Sequence, residues 1–347
     1  MLNLLFSSSN DYSPLLTIAL TSLLENNSND FNCINVYIID NGINQKNRDN
    51  INSLMERYPC RIKFIKFDIA ASFNNYLWPV ESNNAPPSFA TYARLFTPSI
   101  VPEDIDKILY LDCDALILGS FKEMWEMDLG DYYCAGALEP VVNQDLKKEF
   151  WFFNVNNYIN AGVLLINLKK WREDNVEEKF IGFLSAHRGE YYCADQGIIN
   201  LLFDNKIKIL PPKYNLIGAF QRYDYNRARK VSGIKTEFYT KEIVDESREN
   251  PVFVHFIGKD FAPWVNKDNK YADMYKHYAK IANCEDIIQY KNEPIWKPHV
   301  LFKKSYDYVA SIALIFVPSE IFVKRPNKKL IELFKNEEIK VKNYFKE

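Results

Sequence analysis

Lys107-Ile108-Leu109-Tyr110-Leu111-Asp112-Cys113-Asp114 is a run of strand-forming residues that ends on two carboxylates. In an extended chain, residues two apart point to the same face, so Asp112 and Asp114 can converge on one hard divalent cation. The pattern alone is not specific, since chance gives about one Asp-x-Asp in a chain of this length. A second example, Asp104-Ile105-Asp106, precedes the same run. Position separates the two. Ligands of parallel sheets sit beyond the carboxyl ends of strands, where only Asp112 and Asp114 lie. Asp104 and Asp106 follow Pro102 and read as a surface turn. Taken alone, Asp112 and Asp114 leave metal binding and strand-end capping both open.

Working outward, further β-rich runs occur at Leu2 to Phe6, Val36 to Asp40, Ile62 to Phe67, Val163 to Ile166, Ile207 to Leu210 and Val252 to Phe256. Segments of helical period lie between several of them, such as Pro14 to Asn26 with Leu16, Ala19, Leu20, Leu23 and Leu24 on one face. The alternation predicts an α/β fold with a mainly parallel sheet covered on both faces. His255 ends the run that begins at Val252. A histidine there can be structural, or it can complete an O,O,N site with two carboxylates at another strand end of the same sheet, which suits manganese or magnesium. Ser82 to Pro87 reads as a loop and Ser88 to Phe96 as a helix capped by Ser88. A second break near Phe261 to Asn269 suggests two units, 1–265 and a smaller helical region, 266–347.

Composition narrows the chemistry. The chain has 347 residues, 47% apolar and 25% charged, with a net charge of -2. Its 11 glycines are less than half the usual share of about 7%. The closest pair, Gly130 and Gly136, is too far apart for G-x-G-x-x-G, a Walker A loop or a G-x-S-x-G elbow. A bound phosphate therefore has to be held without a glycine cradle. The six cysteines show no C-x-x-C spacing, so neither a zinc knuckle nor a disulfide framework is indicated and a reducing cytoplasm fits. No signal peptide is read at the start. The longest apolar stretch, Val309 to Val317, is far short of the ~20 residues that span a membrane.

Charge is uneven. Residues 297–347 carry 11 basic and 6 acidic side chains, against 32 and 39 in residues 1–296. In the tail, Trp296, Phe302, Tyr306, Tyr308, Phe316 and Phe322 are interspersed with Lys303, Lys304, Lys324 and Arg325. Two readings stand: a peripheral anchor on an anionic membrane surface, and an ordinary helical unit packed on the core. No nucleic-acid partner is expected.

Several ordered motifs together carry a resemblance. They are Phe6 to Tyr12, Thr91-Tyr92-Ala93-Arg94-Leu95, Tyr110 to Asp114, Tyr158-Ile159-Asn160-Ala161-Gly162 continuing to Trp171, Ala194-Asp195-Gln196-Gly197 continuing to Asn200, and His255-Phe256-Ile257-Gly258 with Pro263-Trp264. In order and spacing the chain resembles family 8 glycosyltransferases, in the bacterial lipopolysaccharide galactosyl- and glucosyltransferase branch. The resemblance spans roughly residues 1 to 265. It implies a GT-A (Rossmann-like) fold, a UDP-sugar donor, a manganese ion with magnesium as the alternative, and transfer with retention.

Position by position, the resemblance makes Asp112, Asp114 and His255 metal ligands. It places Arg94, Cys113 and Ala161 at the donor, and Asn160 and Asp195 on the sugar hydroxyls. Gln196 falls beneath the anomeric carbon, so that Gln196, Asp195 and Asn160 form the catalytic set. Ser9, Asp11 and Tyr12 fall at the nucleotide base, Gly258 and Lys259 at the diphosphate. The residues also admit plainer roles: Arg94 a solvent-facing ion pair, Asn160 turn chemistry, Asp195-Gln196 a helix cap.

The chain departs from the family where Ser9-Asn10-Asp11-Tyr12 replaces an acidic pair followed by Asn-Tyr. A second departure is Lys259 directly after Gly258, with Ala262 ahead of Pro263-Trp264. The expected activity is transfer of a hexose, galactose ahead of glucose, to a hydroxyl of a cell-surface glycan, glycolipid or glycoprotein, at the inner face of the plasma membrane. A non-catalytic nucleotide-sugar-binding scaffold is the competing reading. A haloacid-dehalogenase-type phosphatase is disfavoured because the chain has no Asp-Asp.

Overall fold

The computed structural model describes residues 1–67, 92–140, 157–186, 194–234, 238–257 and 262–290. Its strands are β1 (Leu2–Ser9), β2 (Ile34–Asn41), β3 (Cys60–Ile65), β4 (Lys107–Leu111), β5 (Ala115–Ile117), β6 (Cys134–Ala137), β7 (Val163–Asn167), β8 (Ile207–Leu210), β9 (Leu216–Ile217) and β10 (Phe253–His255). The helices that matter below are α1 (Ser13–Asn27), α2 (Gln45–Met55), α3 (Val176–Ala186), α4 (Ala194–Leu202), α5 (Lys241–Glu249) and α6 (Ala272–Ile281).

Seven strands form one sheet in the order β3-β2-β1-β4-β7-β6-β8. Every neighbouring pair is parallel except the two made by β7, which runs against β4 and β6. The sheet is thus mixed and mainly parallel, with helices on both faces, as the alternation of runs predicted. β4 shows why both faces need cover. Leu109 and Leu111 pack into one apolar core with Phe6 and Leu16, while Ile108 and Tyr110 pack into another with Trp171 and Phe180. Successive side chains of a strand point to opposite faces, so a strand that is apolar at every position must be buried twice.

All seven runs read as strands are strands, and Lys107–Leu111 and Ile207–Leu210 match at both ends. Three more, β5, β6 and β9, were not legible. β5 and β9 are too short to show a period, and Cys-Ala-Gly-Ala in β6 has no β-branched or large apolar residue. α1 is buried around most of its circumference instead of along one stripe. It lies between the sheet and a second layer, where the Asn26 amide donates to the Ile117 carbonyl at 3.0 Å and to the Tyr278 hydroxyl at 2.8 Å. Ala93–Phe96, the end of the helix expected from Ser88, is a 3-10 turn followed by one α-turn, Thr97–Ile100. Residues 68–91, which hold the expected loop and Ser88, lie outside the described residues.

Beyond residue 265, Tyr271, Tyr275 and Ala279 pack into the same core as Leu16 and Phe31. The basic, aromatic segment 297–347 lies outside the described residues. Among the described residues no helix is long and apolar enough to cross a membrane.

The strand pattern puts His255 at a strand end of the same sheet as Asp112 and Asp114, but β10 belongs to a separate three-stranded sheet, β5-β10-β9. The link is β5, which follows Asp114 directly and runs antiparallel to β10, with Ala115 opposite His255. Register, not membership of one sheet, brings the histidine to the carboxylates.

Candidate active site

The site sits at the carboxyl end of β4. The Asp112 N–H donates to the Gly162 carbonyl at 2.8 Å and so extends the β4–β7 ladder by one residue. The Phe256 N–H donates to the Asp114 carbonyl, also at 2.8 Å, and anchors the other carboxylate against β10. His255 Nε2 lies 3.1 Å from Asp114 Oδ1 and 3.7 Å from Asp112 Oδ2. One donor atom from each of the three falls within 4.8 Å of the others. The two carboxylates are partly open to solvent and the histidine is buried. Two hard oxygens and one imidazole nitrogen suit manganese or magnesium, so the donor set fits the expected ion.

Gly162 supports the same conclusion. A Cβ there would lie 2.1 Å from His255 Cε1 and 2.7 Å from Asp112 Oδ2. The backbone passes so close to the cluster that no side chain fits, one of the standard uses of glycine at a ligand site.

Arg94 is buried, not a surface ion pair. Its guanidinium contacts Asp112 Oδ1 at 3.0 Å and Asp195 Oδ2 at 2.8 Å, donates to the Ala161 carbonyl, and lies 4.1 Å over the Tyr110 ring. Tyr110 also donates to Asp112 Oδ1 at 2.9 Å. Burial works against the arginine charge, but Asp112 and Asp195 outweigh it and hold the guanidinium fully protonated. Asp195 is pushed up to about 6 by burial, with Arg94 pulling it back and Asp112 adding to the rise. For His255, burial is the largest single influence and lowers its affinity for a proton; the Asp114 charge and hydrogen bond, then Asp112 and Glu139, together outweigh it.

The Asp195 shift has a measurable sign. The folded chain holds this proton more tightly than the unfolded chain does. The stability the group contributes is therefore present below about pH 4 and is lost as pH rises towards 6. Urea unfolding across that window should show a fall of at most about 3 kcal/mol that is missing in Asp195→Asn. An identical slope in the two proteins would contradict the assignment.

Asn160, Asp195 and Gln196 are brought together by α4, which carries the last two in its first turn, packed against the turn before β7. Gln196 Oε1 accepts from Asn160 Nδ2 and from the Ala161 N–H, both at 3.0 Å. Asn200, one turn further along α4, holds the backbone of Ile159 by accepting from its N–H and donating to its carbonyl. Ser9 ends β1, which is the parallel neighbour of β4. Tyr12 is 48% exposed, and its phenol is raised by partial burial and then by Asp114, Cys113 and Asp112. Asp11 is exposed at the rim. Cys113 is buried and donates through Sγ to the Ser7 carbonyl at 3.3 Å, stitching β4 to β1. Gly258 and Lys259 lie outside the described residues.

Some residues at the site were not singled out as functional from the sequence. Glu139 accepts from Asn160 Nδ2 at 2.8 Å, and Asn215 meets both His255 and Asn160. Glu139 follows β6, so a polar residue after a strand was the available signal, but β6 itself was not recognised. Asn215 has no motif or period around it.

A family profile described as "Glycosyl transferase family 8" matches residues 3–268. A Haemophilus influenzae protein whose name places it among glycosyltransferases is 33% identical over 218 residues, covering 62% of this chain and 63% of that protein, so the match spans just under two thirds of the relative. A lipopolysaccharide 1,2-glucosyltransferase of Escherichia coli is 28% identical over 312 residues, 85% of this chain and 84% of that one. Among solved structures, galactosyltransferase LgtC in complex with donor and acceptor sugar analogs superposes with a TM-score of 0.62 at 23% identity, covering 85% of this chain and 98% of that one. At that identity the likeness speaks to the fold.

Proposed function

Because the chain belongs to glycosyltransferase family 8, we propose that it is a retaining, metal-dependent hexosyltransferase that moves a sugar from a UDP-sugar donor to a hydroxyl of a cell-surface glycan, glycolipid or glycoprotein. The observation that carries this reading is the convergence of Asp112, Asp114 and His255 beside the buried Arg94–Asp195 pair. Manganese held by those three side chains, or magnesium in its place, would offset the charge that develops on the departing diphosphate.

The other roles follow from donor and acceptor capacity. Asp195 can accept from sugar hydroxyls, and Asn160 can accept and donate. Gln196 Oε1 already accepts two hydrogen bonds, so its free NH2 group is the end available to the reactants. An amide is a poor nucleophile. We therefore favour attack by the acceptor on the face the leaving group departs from, with Gln196 and Asn160 positioning the sugar, over a covalent intermediate. Ser9, Asp11 and Tyr12 are proposed to line the base, with Gly258 and Lys259 near the diphosphate.

The donor site is proposed to occupy residues 1–265, and residues 266–347 to serve the acceptor and a peripheral contact with the inner face of the plasma membrane. Galactose is the favoured sugar and glucose the next. A panel of UDP-sugars scored for UDP release decides the sugar, and liposome co-sedimentation with and without residues 297–347 decides the membrane contact. For the activity itself, UDP release is expected to need manganese, to fall to background in EDTA and to return when manganese is restored. Release that is indifferent to EDTA would reject the metal. A chain that binds UDP but turns over no donor would reject the enzyme.

A further inference from the structure

The hydrogen bonds behind His255 start from the backbone, and that fixes their direction. The Gly162 N–H donates to the Asn160 side chain at 2.9 Å, so the atom it meets is the amide oxygen. The Asn215 side chain reaches the same oxygen, also at 2.9 Å, and must present its NH2 group there. Its own oxygen then faces His255 Nδ1 at 3.2 Å. An amide oxygen only accepts, so Nδ1 carries the proton, which leaves Nε2 as the nitrogen whose lone pair a cation between Asp112 and Asp114 can take. Nε2 is the nitrogen that faces Asp114 and Asp112.

The other branch is fixed in the same way. The Ala161 N–H defines Gln196 Oε1, so the second donor to that oxygen is the Asn160 NH2. His255, Asn160 and Asn215 are 3%, 5% and 2% exposed, which leaves each amide dependent on these partners.

We infer that Asn215 is a positioning residue: it sets the tautomer of His255 and couples that ring, through Asn160, to Gln196. The inference rests on the reading of His255 as a metal ligand. A ligating histidine whose other ring N–H is held by an acceptor has its orientation and tautomer fixed, and loss of such a partner typically weakens metal affinity about ten- to hundredfold. Asn215 does this from the position just before β9, which runs beside β10 in parallel register, with Ile217 opposite His255.

The test uses the full chain. Manganese binding, read from the EPR signal of the free ion, is compared for the native protein, Asn215→Ala and Asn215→Asp at matched melting temperature. Asn215→Ala should bind about ten- to hundredfold more weakly. Asn215→Asp, whose carboxylate still accepts from Nδ1–H, should recover most of that affinity. It should nonetheless raise KM for the donor, because it faces the Asn160 oxygen with no proton to offer.

Nitrogen-15 spectra of the metal-free chain give an independent readout, since there are four histidines and His255→Gln identifies the relevant one. The ring should carry a proton on Nδ1 in the native protein, whether or not Nε2 carries one as well, and should lose that preference in Asn215→Ala. Native affinity in Asn215→Ala, or a native ring with no proton on Nδ1, overturns the inference. A native chain with no affinity for manganese fails the metal reading instead, and the tautomer spectrum still decides the role of Asn215.

Discussion

Asp112→Asn is expected to lower metal-dependent UDP release by about a thousandfold while leaving thermal stability close to that of the native protein. The size follows from what a metal at a departing diphosphate contributes, several kcal/mol of charge stabilisation, with each 1.36 kcal/mol worth about tenfold. The change removes the charge of one of the three proposed ligands but almost none of its volume. Asparagine keeps an oxygen that can accept from Arg94 at 3.0 Å and Tyr110 at 2.9 Å, so the packing under the site survives. Arg94 retains Asp195 as its counter-charge at 2.8 Å. Steady-state UDP release together with a melting curve separates the outcomes. Activity within tenfold of native would remove Asp112 from the metal site, and a collapse of the melting temperature would mean that its main role is to neutralise Arg94.

Gly162→Ala is the second large effect, and its cause is space. The added methyl would stand 2.1 Å from His255 Cε1 and 2.7 Å from His255 Nδ1 and Asp112 Oδ2. The backbone cannot retreat easily, because the Gly162 carbonyl accepts from the Asp112 N–H and its own N–H is bound to Asn160. His255 has little room either, with its ring held by Asn215 and Asp114. The relief available is displacement of the imidazole from the cluster. Stability should fall by about 1–3 kcal/mol, as overpacking of a close-packed site does. Manganese affinity and UDP release should both fall by about a hundredfold, the scale of a displacement of about 1 Å at a reacting centre. An alanine variant that binds manganese like the native chain would show that the cluster is not the metal site.

Residues differ in how far they could be read without coordinates, and the difference follows the range of the interaction. Lys107 to Asp114 was legible because its strand and its two carboxylates depend on neighbours one or two positions away, and the parallel-sheet rule says which end binds. The other six runs were legible for the same reason. β6 was not, because a strand of small residues exists only through its pairing with β7 and β8. Arg94 illustrates the limit most clearly. Its identity suggested an ion pair, but its burial and its two partners lie 18 and 101 positions further along the chain.

The poverty in glycine excluded the phosphate loops, and a metal held between strand ends gives a way to bind a diphosphate without one. One glycine is needed all the same, at 162, where the side chains of His255 and Asp112 leave no room for a Cβ. The sequence by itself determined the fold class, the carboxylate pair and the set of residue types available for chemistry, because these follow from local period and composition. Only the tertiary structure decided that His255 arrives from a second sheet, that Asn215 and Glu139 join the site, and that Asp195 holds its proton unusually tightly. Those are consequences of register and burial, which depend on partners far away in the chain and on the loss of solvent around them.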